Sequence, residues 1–99
     1  MNFGSFQGAR VLETDTVREI RRNQLHGTVG WHQGLIWYSD APWGFYTLGH
    51  TGGDFGESTR MFFSPERRVG VVSLTNSFTG GASWRAFSDI ERRLFAEFS

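Results

Sequence analysis

The stretch LGHTGGDFGESTRMFFSPERRVGVVSLTN, residues 48–76, decides the fold of this chain. Two of its segments, STRMFFS and VGVVSLTN, are rich in β-branched and aromatic residues, which favour extended structure. They are separated by PERR, and proline suits the second position of a tight turn. The pattern predicts an antiparallel hairpin. Because both runs are almost continuously apolar, we expect both faces of this hairpin to be covered.

The segment that follows, residues 83–99, has the pattern of an amphipathic helix. Ser83 is the expected N-cap. Apolar residues then recur every three or four positions, the spacing of a core-facing helix. They are Trp84, Phe87, Ile90, Leu94 and Phe98. We therefore expect this helix to pack on the hairpin through these five side chains.

A second, shorter helix is predicted over ETDTVREIRRNQ, residues 13–24. Thr14 or Thr16 can cap it, and Thr16 with Glu19 fits a capping box. Residues 1–12 before it contain scattered glycines and predict an irregular lead-in.

The segment GTVGWHQGLIWYS, residues 27–39, predicts one or two short strands with a bend near Gly34. DAPWGFY, residues 40–46, predicts a turn at Asp40, Pro42 and Gly44. The complete order predicts an α+β fold, an antiparallel sheet with the C-terminal helix on one face. The length of 99 residues fits a single domain over residues 1–99.

The composition argues against several classes of protein. Net charge is zero and no run of basic residues is longer than a pair, so we expect no nucleic-acid partner. Cysteine is absent, which removes disulfides and thiolate metal sites. No apolar run reaches the length of a membrane span, and the N-terminus lacks the pattern of a signal peptide. All ten basic residues are arginines, so no lysine can act as a base.

The cluster GHTGGDFG, residues 49–56, carries the chemistry. His50 offers a titratable imidazole and Thr51 a hydroxyl, while Gly52 and Gly53 allow a ligand to approach the backbone. A strand with such glycines can present N–H groups to a developing oxyanion. The alternative is a glycine-rich turn in which His50 is a surface residue.

In its wider context the stretch GHTGGDFGESTRMFFSPERRVGVVSLTNS resembles the C-terminal part of the serine β-lactamase and penicillin-binding-protein superfamily. The similarity is greatest to the class C-like branch of β-lactamases, D,D-carboxypeptidases, D-aminopeptidases and esterases. In that family Lys-Thr-Gly or His-Thr-Gly opens a strand that lines the active site. GARVLETDTVREI and GTVGWHQGLIWY also resemble family segments, so the resemblance covers nearly the whole chain.

The resemblance implies that His50, Thr51 and Gly52 form the third catalytic motif. Thr51 would bind the substrate carboxylate, His50 would contribute to the electrostatics of the site, and Gly53 N–H would be one of two oxyanion donors. The substrate would be a β-lactam, a D-amino-acid peptide or an ester. No metal or other cofactor is implied, and intact members of the family are often periplasmic or secreted.

Two catalytic motifs of the family are absent from this chain. Without lysine there is no Ser-x-x-Lys, and neither tyrosine starts a Tyr-x-Asn. A serine without its base is a poor nucleophile, so we do not expect the chain alone to turn over. A Ser–His–acid triad with His26, His32 or His50 and a small independent enzyme remain open, but no pattern supports them.

We therefore interpret the chain as the C-terminal fragment of a β-lactamase-like serine hydrolase. Its partner would be a complementary N-terminal hydrolase part. The alternative is a non-catalytic module that forms homo-oligomers or binds a partner through the open edge of VGVVSLTN, residues 69–76. A fold-back of residues 27–39 onto that edge would instead leave a monomer.

Overall fold

Two compact units make up the chain, residues 1–39 and residues 40–99. The computed structural model describes residues 2–28, 30–40, 43–77 and 80–98. That residues 1–99 form a single, partial domain remains a prediction. All of the functional residues predicted on the glycine-flanked cluster lie in the second unit.

The first unit begins with a small hairpin, where an irregular lead-in was predicted. Strands β1 (Ser5–Phe6) and β2 (Ala9–Arg10) pair with Ser5 opposite Arg10. Gln7 and Gly8 connect them with φ angles of 49° and 81°. Two successive residues with positive φ give the turn whose twist matches that of paired strands, so this segment is more regular than expected.

The predicted short helix is present as α1, Thr14–Arg21. Its N-cap is Glu13, which has an extended backbone and makes no side-chain capping hydrogen bond. The predicted capping by Thr14 or Thr16 is wrong because both threonines lie inside the helix. The first turn is instead accompanied by an exposed ion pair between Asp15 and Arg18 at 2.9 Å.

A tight turn and one short strand follow α1, in agreement with the predicted bend near Gly34. Gly34 N–H donates to the carbonyl of Trp37 at 2.7 Å, and Gln33 forms a bridge with Tyr38. A Cβ on Gly34 would lie 2.5 Å from the carbonyl oxygen of Ile20, so only glycine fits here. Strand β3 spans Tyr38–Asp40. Val29 and Pro42, which also carried strand and turn predictions, lie outside the described residues.

The predicted α+β architecture is confirmed. Strands β4 (Thr47–Asp54), β5 (Glu57–Ser64) and β6 (Val69–Thr75) form antiparallel pairs within a four-stranded sheet of order β3-β4-β5-β6. The C-terminal helix α2, Ala82–Phe98, packs against β6. No helix in the described parts of the chain is long and apolar enough to cross a membrane.

The β5–β6 hairpin is present as predicted. Residues 65–68 connect the strands, and Arg68 N–H donates to the carbonyl of Ser64 at 2.9 Å. Arg68 adopts a φ of 57°, the left-handed conformation that closes such connections. The register places Met61 opposite Val72 and Phe62 opposite Val71.

The two faces of this hairpin differ, which contradicts the expectation that both are covered. Phe62 is buried and Val71 nearly so, on the face toward α2. On the opposite face Met61, Val72 and Leu74 are 42%, 60% and 74% exposed. Side chains alternate along a strand, so the apolar runs conceal a strict inside–outside alternation. The open face is a surface of the chain, not a second core.

Helix α2 uses a different face from the one predicted. It begins at Ala82, so Ser83 is its second residue and not its N-cap. Glu91 and Phe95 are its buried residues, and Phe87 is half-buried. Trp84 is 43% exposed, but its ring packs over Arg60 of β5. The other members of the predicted stripe are exposed, namely Ile90, Leu94 and Phe98. The inward face is thus rotated toward Ser88, Glu91 and Phe95, because a buried arginine on β5 attracts Glu91 inward.

Candidate functional site

The predicted site residues lie consecutively in the middle of β4. His50, Thr51, Gly52 and Gly53 are all exposed and stand opposite Met61, Arg60, Thr59 and Ser58 of β5. Successive residues of a strand point to opposite faces of the sheet. Thr51 and Gly53 therefore share one face, and His50 and Gly52 share the other. The strand brings the four residues together but divides them between its two sides.

Two glycines of this strand lie in close contact with β5. A Cβ on Gly49 would lie 2.2 Å from the carbonyl oxygen of Met61 and 2.3 Å from the ring of Phe62. A Cβ on Gly52 would lie 2.6 Å from Oγ1 of Thr59. Both contacts lie far inside van der Waals distance. At Gly49 the obstacles are a backbone oxygen and a buried ring, so a side chain there would force the strands apart, whereas at Gly52 the side chain of Thr59 would have to rotate. The glycine content of the cluster thus follows partly from packing between strands.

The imidazole of His50 is oriented by its own strand. Its Nδ1 lies 2.5 Å from the carbonyl oxygen of Thr51. A carbonyl oxygen accepts hydrogen bonds, so this contact places a proton on Nδ1. In the neutral imidazole Nε2 is then the hydrogen-bond acceptor. His50 can therefore act as a hydrogen-bonding group at an exposed position.

An open concavity of about 760 Å³ follows these residues along the hairpin. Residues 51–58 line it, so it is built from the ends of β4 and β5 and the turn between them. At the tip Phe55 is fully exposed, and Gly56 has a φ of 78°. The only charged side chains of this lining are the acidic Asp54 and Glu57. An anionic substrate would consequently be favoured at the Thr51 end and disfavoured at the tip.

A second polar cluster, which the sequence did not reveal, lies buried between β5 and α2. The Arg60 Nη1 atom is 3.0 Å from Oε2 of Glu91, and the two side chains are only 3% and 2% exposed. Arg60 Nη1 also donates to Oγ of Ser88 at 3.2 Å. Arg60 stands opposite Thr51 in the sheet, so the ion pair of Arg60 and Glu91 connects the strand next to the predicted site with the C-terminal helix.

Aromatic rings surround the guanidinium of Arg60. Its Cζ lies 4.4 Å from the ring centre of Trp84 and 5.4 Å from those of Trp43 and Phe62. Trp43 Nε1 donates to the carbonyl of Ser88 at 3.4 Å, which attaches the same cluster to α2. Aromatic faces attract cations, so the rings replace part of the hydration that Arg60 loses on burial.

The buried charges are incompletely compensated. Among the described residues, Arg60 Nε, Ser73 Oγ and Glu91 Oε2 are buried without a well-aligned hydrogen bond, so the contact between Arg60 Nη1 and Glu91 Oε2 is an ion pair by distance only. Burial raises the pKa of Glu91, while Ser73 and the charge of Arg60 act in the opposite direction. Burying this cluster is costly, and we expect it to favour one packing of α2 on the sheet.

Sequence reasoning missed this pair for a specific reason. Arg60 lies inside an apolar run, and Glu91 lies beside the apolar stripe assigned to the helix face. The spacing Trp84, Ser88, Glu91, Phe95 is also helical, but half of it is polar. A charged residue between Thr59 and Met61 was the available signal, because alternation would turn Arg60 inward with Phe62.

No metal centre was predicted, and none of the described residues form a cluster of three or more His, Asp or Glu side chains able to hold a metal ion. His32 lies in the first unit, where its Nε2 contacts the carbonyl of Arg21 at 2.6 Å. Comparison of the chain with protein-family models, curated proteins and solved structures finds no significant match. The function is therefore inferred from the site itself and from the resemblance of its motifs.

Proposed function

We propose that this chain supplies one wall of a β-lactamase-like serine hydrolase active site, the wall formed by residues 50–53. The observation that carries the proposal is the exposed run His50, Thr51, Gly52 and Gly53 within a paired strand, directly before an open concavity. A hydroxyl and glycine amides on a rigid strand are suited to bind a carboxylate and a developing oxyanion.

Each residue has a role that follows from its chemistry and from the motif it resembles. Thr51 Oγ1 donates to the substrate carboxylate, and the N–H of Gly53 donates to the carbonyl oxygen that becomes the oxyanion. His50 lies on the opposite face of the strand from Thr51 and Gly53, so its imidazole contributes to the electrostatics of the site without sharing their face. The substrate class is a β-lactam, a D-amino-acid peptide or an ester, and no cofactor takes part.

A complementary N-terminal hydrolase part supplies the nucleophile in this proposal. The present chain contains no lysine, so the serine of Ser-x-x-Lys and its base must come from that part. The second oxyanion donor is the N–H of the same serine. Binding and orientation of the acyl group are divided between the two parts, and neither part is competent alone.

The proposal is tested by reconstitution. A class C-like hydrolase truncated just before its own third motif is mixed with this chain, and nitrocefin hydrolysis is followed. We expect no hydrolysis by either part alone and turnover by the mixture. Thr51→Ala should reduce that turnover, whereas Thr28→Ala, an exposed threonine of the first unit, should leave it unchanged. Turnover by the isolated chain, or none by the mixture, would contradict the proposal.

The second candidate function is a non-catalytic module that associates with another protein chain. Among the described residues β6 pairs only with β5, so its other edge is open. Strand β3 takes the opposite end of the strand order. The fold-back of residues 27–39 onto the edge of β6 stays an alternative prediction. An open edge strand is a template for pairing with a further strand.

A further inference from the structure

The open edge of β6 adjoins an exposed apolar stripe on α2. Ile90, Leu94 and Phe98 are spaced four residues apart, so they form one line along the helix. They are 57%, 37% and 69% exposed. A helix that packs on a sheet usually keeps its outer surface polar. This line is therefore a second apolar surface, separate from the one that contacts the sheet.

The stripe lies on the flank of α2 that faces away from the centre of the sheet. The ring of Phe95 packs at a tilt against that of Trp43, and the carbonyl of Ser88 accepts a hydrogen bond from the same tryptophan, which precedes β4. Leu94 precedes Phe95 by one residue, and Ile90 precedes Glu91 by one residue, so each lies about 100° around the helix axis from its buried neighbour. The rotation turns both away from the flank that carries Ser88. Since α2 packs over the last strand, β6, this flank faces the side where the sheet ends.

Edge strands of natural proteins are usually protected by charged residues, proline or bulges. Strand β6, Val69–Thr75, contains none of these: its sequence VGVVSLT carries no charge and no proline. Two copies placed antiparallel would therefore meet no like-charge repulsion along the edge. Near the helix stripe, Arg93 and Glu97 carry opposite charges one turn apart, so these two residues add no net charge beside the stripe.

We propose that the isolated chain forms a two-fold homodimer in which β6 pairs with β6 of a second copy and the α2 stripes pack together. One two-fold axis satisfies both contacts, because α2 lies over β6 in each copy and the helices become antiparallel neighbours when the strands do. With Leu94 on the two-fold axis, Ile90 of one copy packs against Phe98 of the second copy. The result is a continuous sheet of eight strands, twice the four of one chain.

This inference does not rest on the proposed hydrolase function. A complementary hydrolase part that adds a strand at the same edge would compete with the second copy. The dimer is then a form that protects the edge and the stripe while no such part is bound.

Sedimentation equilibrium from 1 to about 100 µM tests the dimer, with hydrogen exchange at the same concentrations. We expect a mass that rises to twice the 11.3 kDa of one chain, and amides of residues 69–75 whose protection rises with concentration. A monomer at every concentration, or assemblies larger than a dimer, would overturn the proposal.

Two substitutions locate the interface. Leu94→Glu places like charges on the two-fold axis, and Val72→Lys places a charge beside the paired edge. Each should weaken dimerisation at least tenfold. The control is Phe55→Glu at the distant hairpin tip, where the side chain is fully exposed, and it should leave the dimer unchanged. Circular dichroism identifies any variant that fails to fold. A dimer that persists in both folded interface variants would refute this interface.

Discussion

The buried pair of Arg60 and Glu91 leads to a prediction in which two single substitutions are worse than their combination. Glu91→Leu leaves a guanidinium that is 3% exposed without its counterion, and Arg60→Met leaves a carboxylate that is 2% exposed without its own. Removing one partner of such a pair costs about 3–5 kcal/mol. Replacing both by apolar residues of similar volume is often close to neutral or stabilising.

Domains have total stabilities of about 5–15 kcal/mol, so at the low end of that range either single variant should be close to unfolding at 25 °C. Urea denaturation at pH 7 measures this, with the fluorescence of Trp43 and Trp84 as the signal because both rings contact Arg60. The double variant should recover most of the lost stability. In a double-mutant cycle the coupling energy should therefore be at least about 2 kcal/mol.

The exposed ion pair of Asp89 and Arg92, 3.4 Å apart on the outer side of the same helix, provides the control. Asp89→Ala should not change the midpoint measurably, since exposed pairs contribute little. If both single variants lost less than about 1 kcal/mol, or if their effects simply added, the pair would not fix α2 on the sheet.

Three further predictions concern the same unit. The pKa of Glu91 in the folded chain is raised above 4.5, so its contribution to the free energy of unfolding is present below pH 4.5 and is lost as pH rises through the folded pKa. The stability of wild type relative to Glu91→Gln should therefore fall over that range. A stability difference that does not change with pH would contradict the raised pKa. Phe95→Ala should cost about 3–5 kcal/mol and Ile90→Ala less than about 1 kcal/mol in the same denaturation assay, the reverse order being incompatible with the observed helix face. Gly49→Ala should lower the melting temperature because its Cβ meets the ring of Phe62, and a neutral result would show that the strands can separate there.

The architecture was largely predictable because it depends on patterns that are local in sequence. The β5–β6 hairpin follows from two β-rich runs and a proline turn, and α2 follows from its helical periodicity. The inward face of α2 was not predictable in the same way. Periodicity ranks faces by their apolar content, and here an apolar face remains exposed while Glu91 is drawn inward by Arg60, 31 residues earlier in the chain.

The candidate site, too, could be predicted only in part from the sequence. His50, Thr51, Gly52 and Gly53 could be located from their sequence, and they share one strand. Their separation onto two faces follows from strand alternation once the strand is known. What the sequence could not indicate is the buried polar cluster between β5 and α2, because its members are distant in the chain and each looks like an ordinary surface residue.

The central claim, that Thr51 and Gly53 form one wall of a serine-hydrolase site, is tested most directly by trapping the acyl-enzyme. This chain and the truncated hydrolase that carries Ser-x-x-Lys are mixed with a slowly hydrolysed penicillin, and intact masses are measured for both. The account predicts acylation of the truncated hydrolase only when this chain is present, with much slower acylation for Thr51→Ala. Acylation that is independent of this chain, or a covalent adduct on this chain itself, would contradict it.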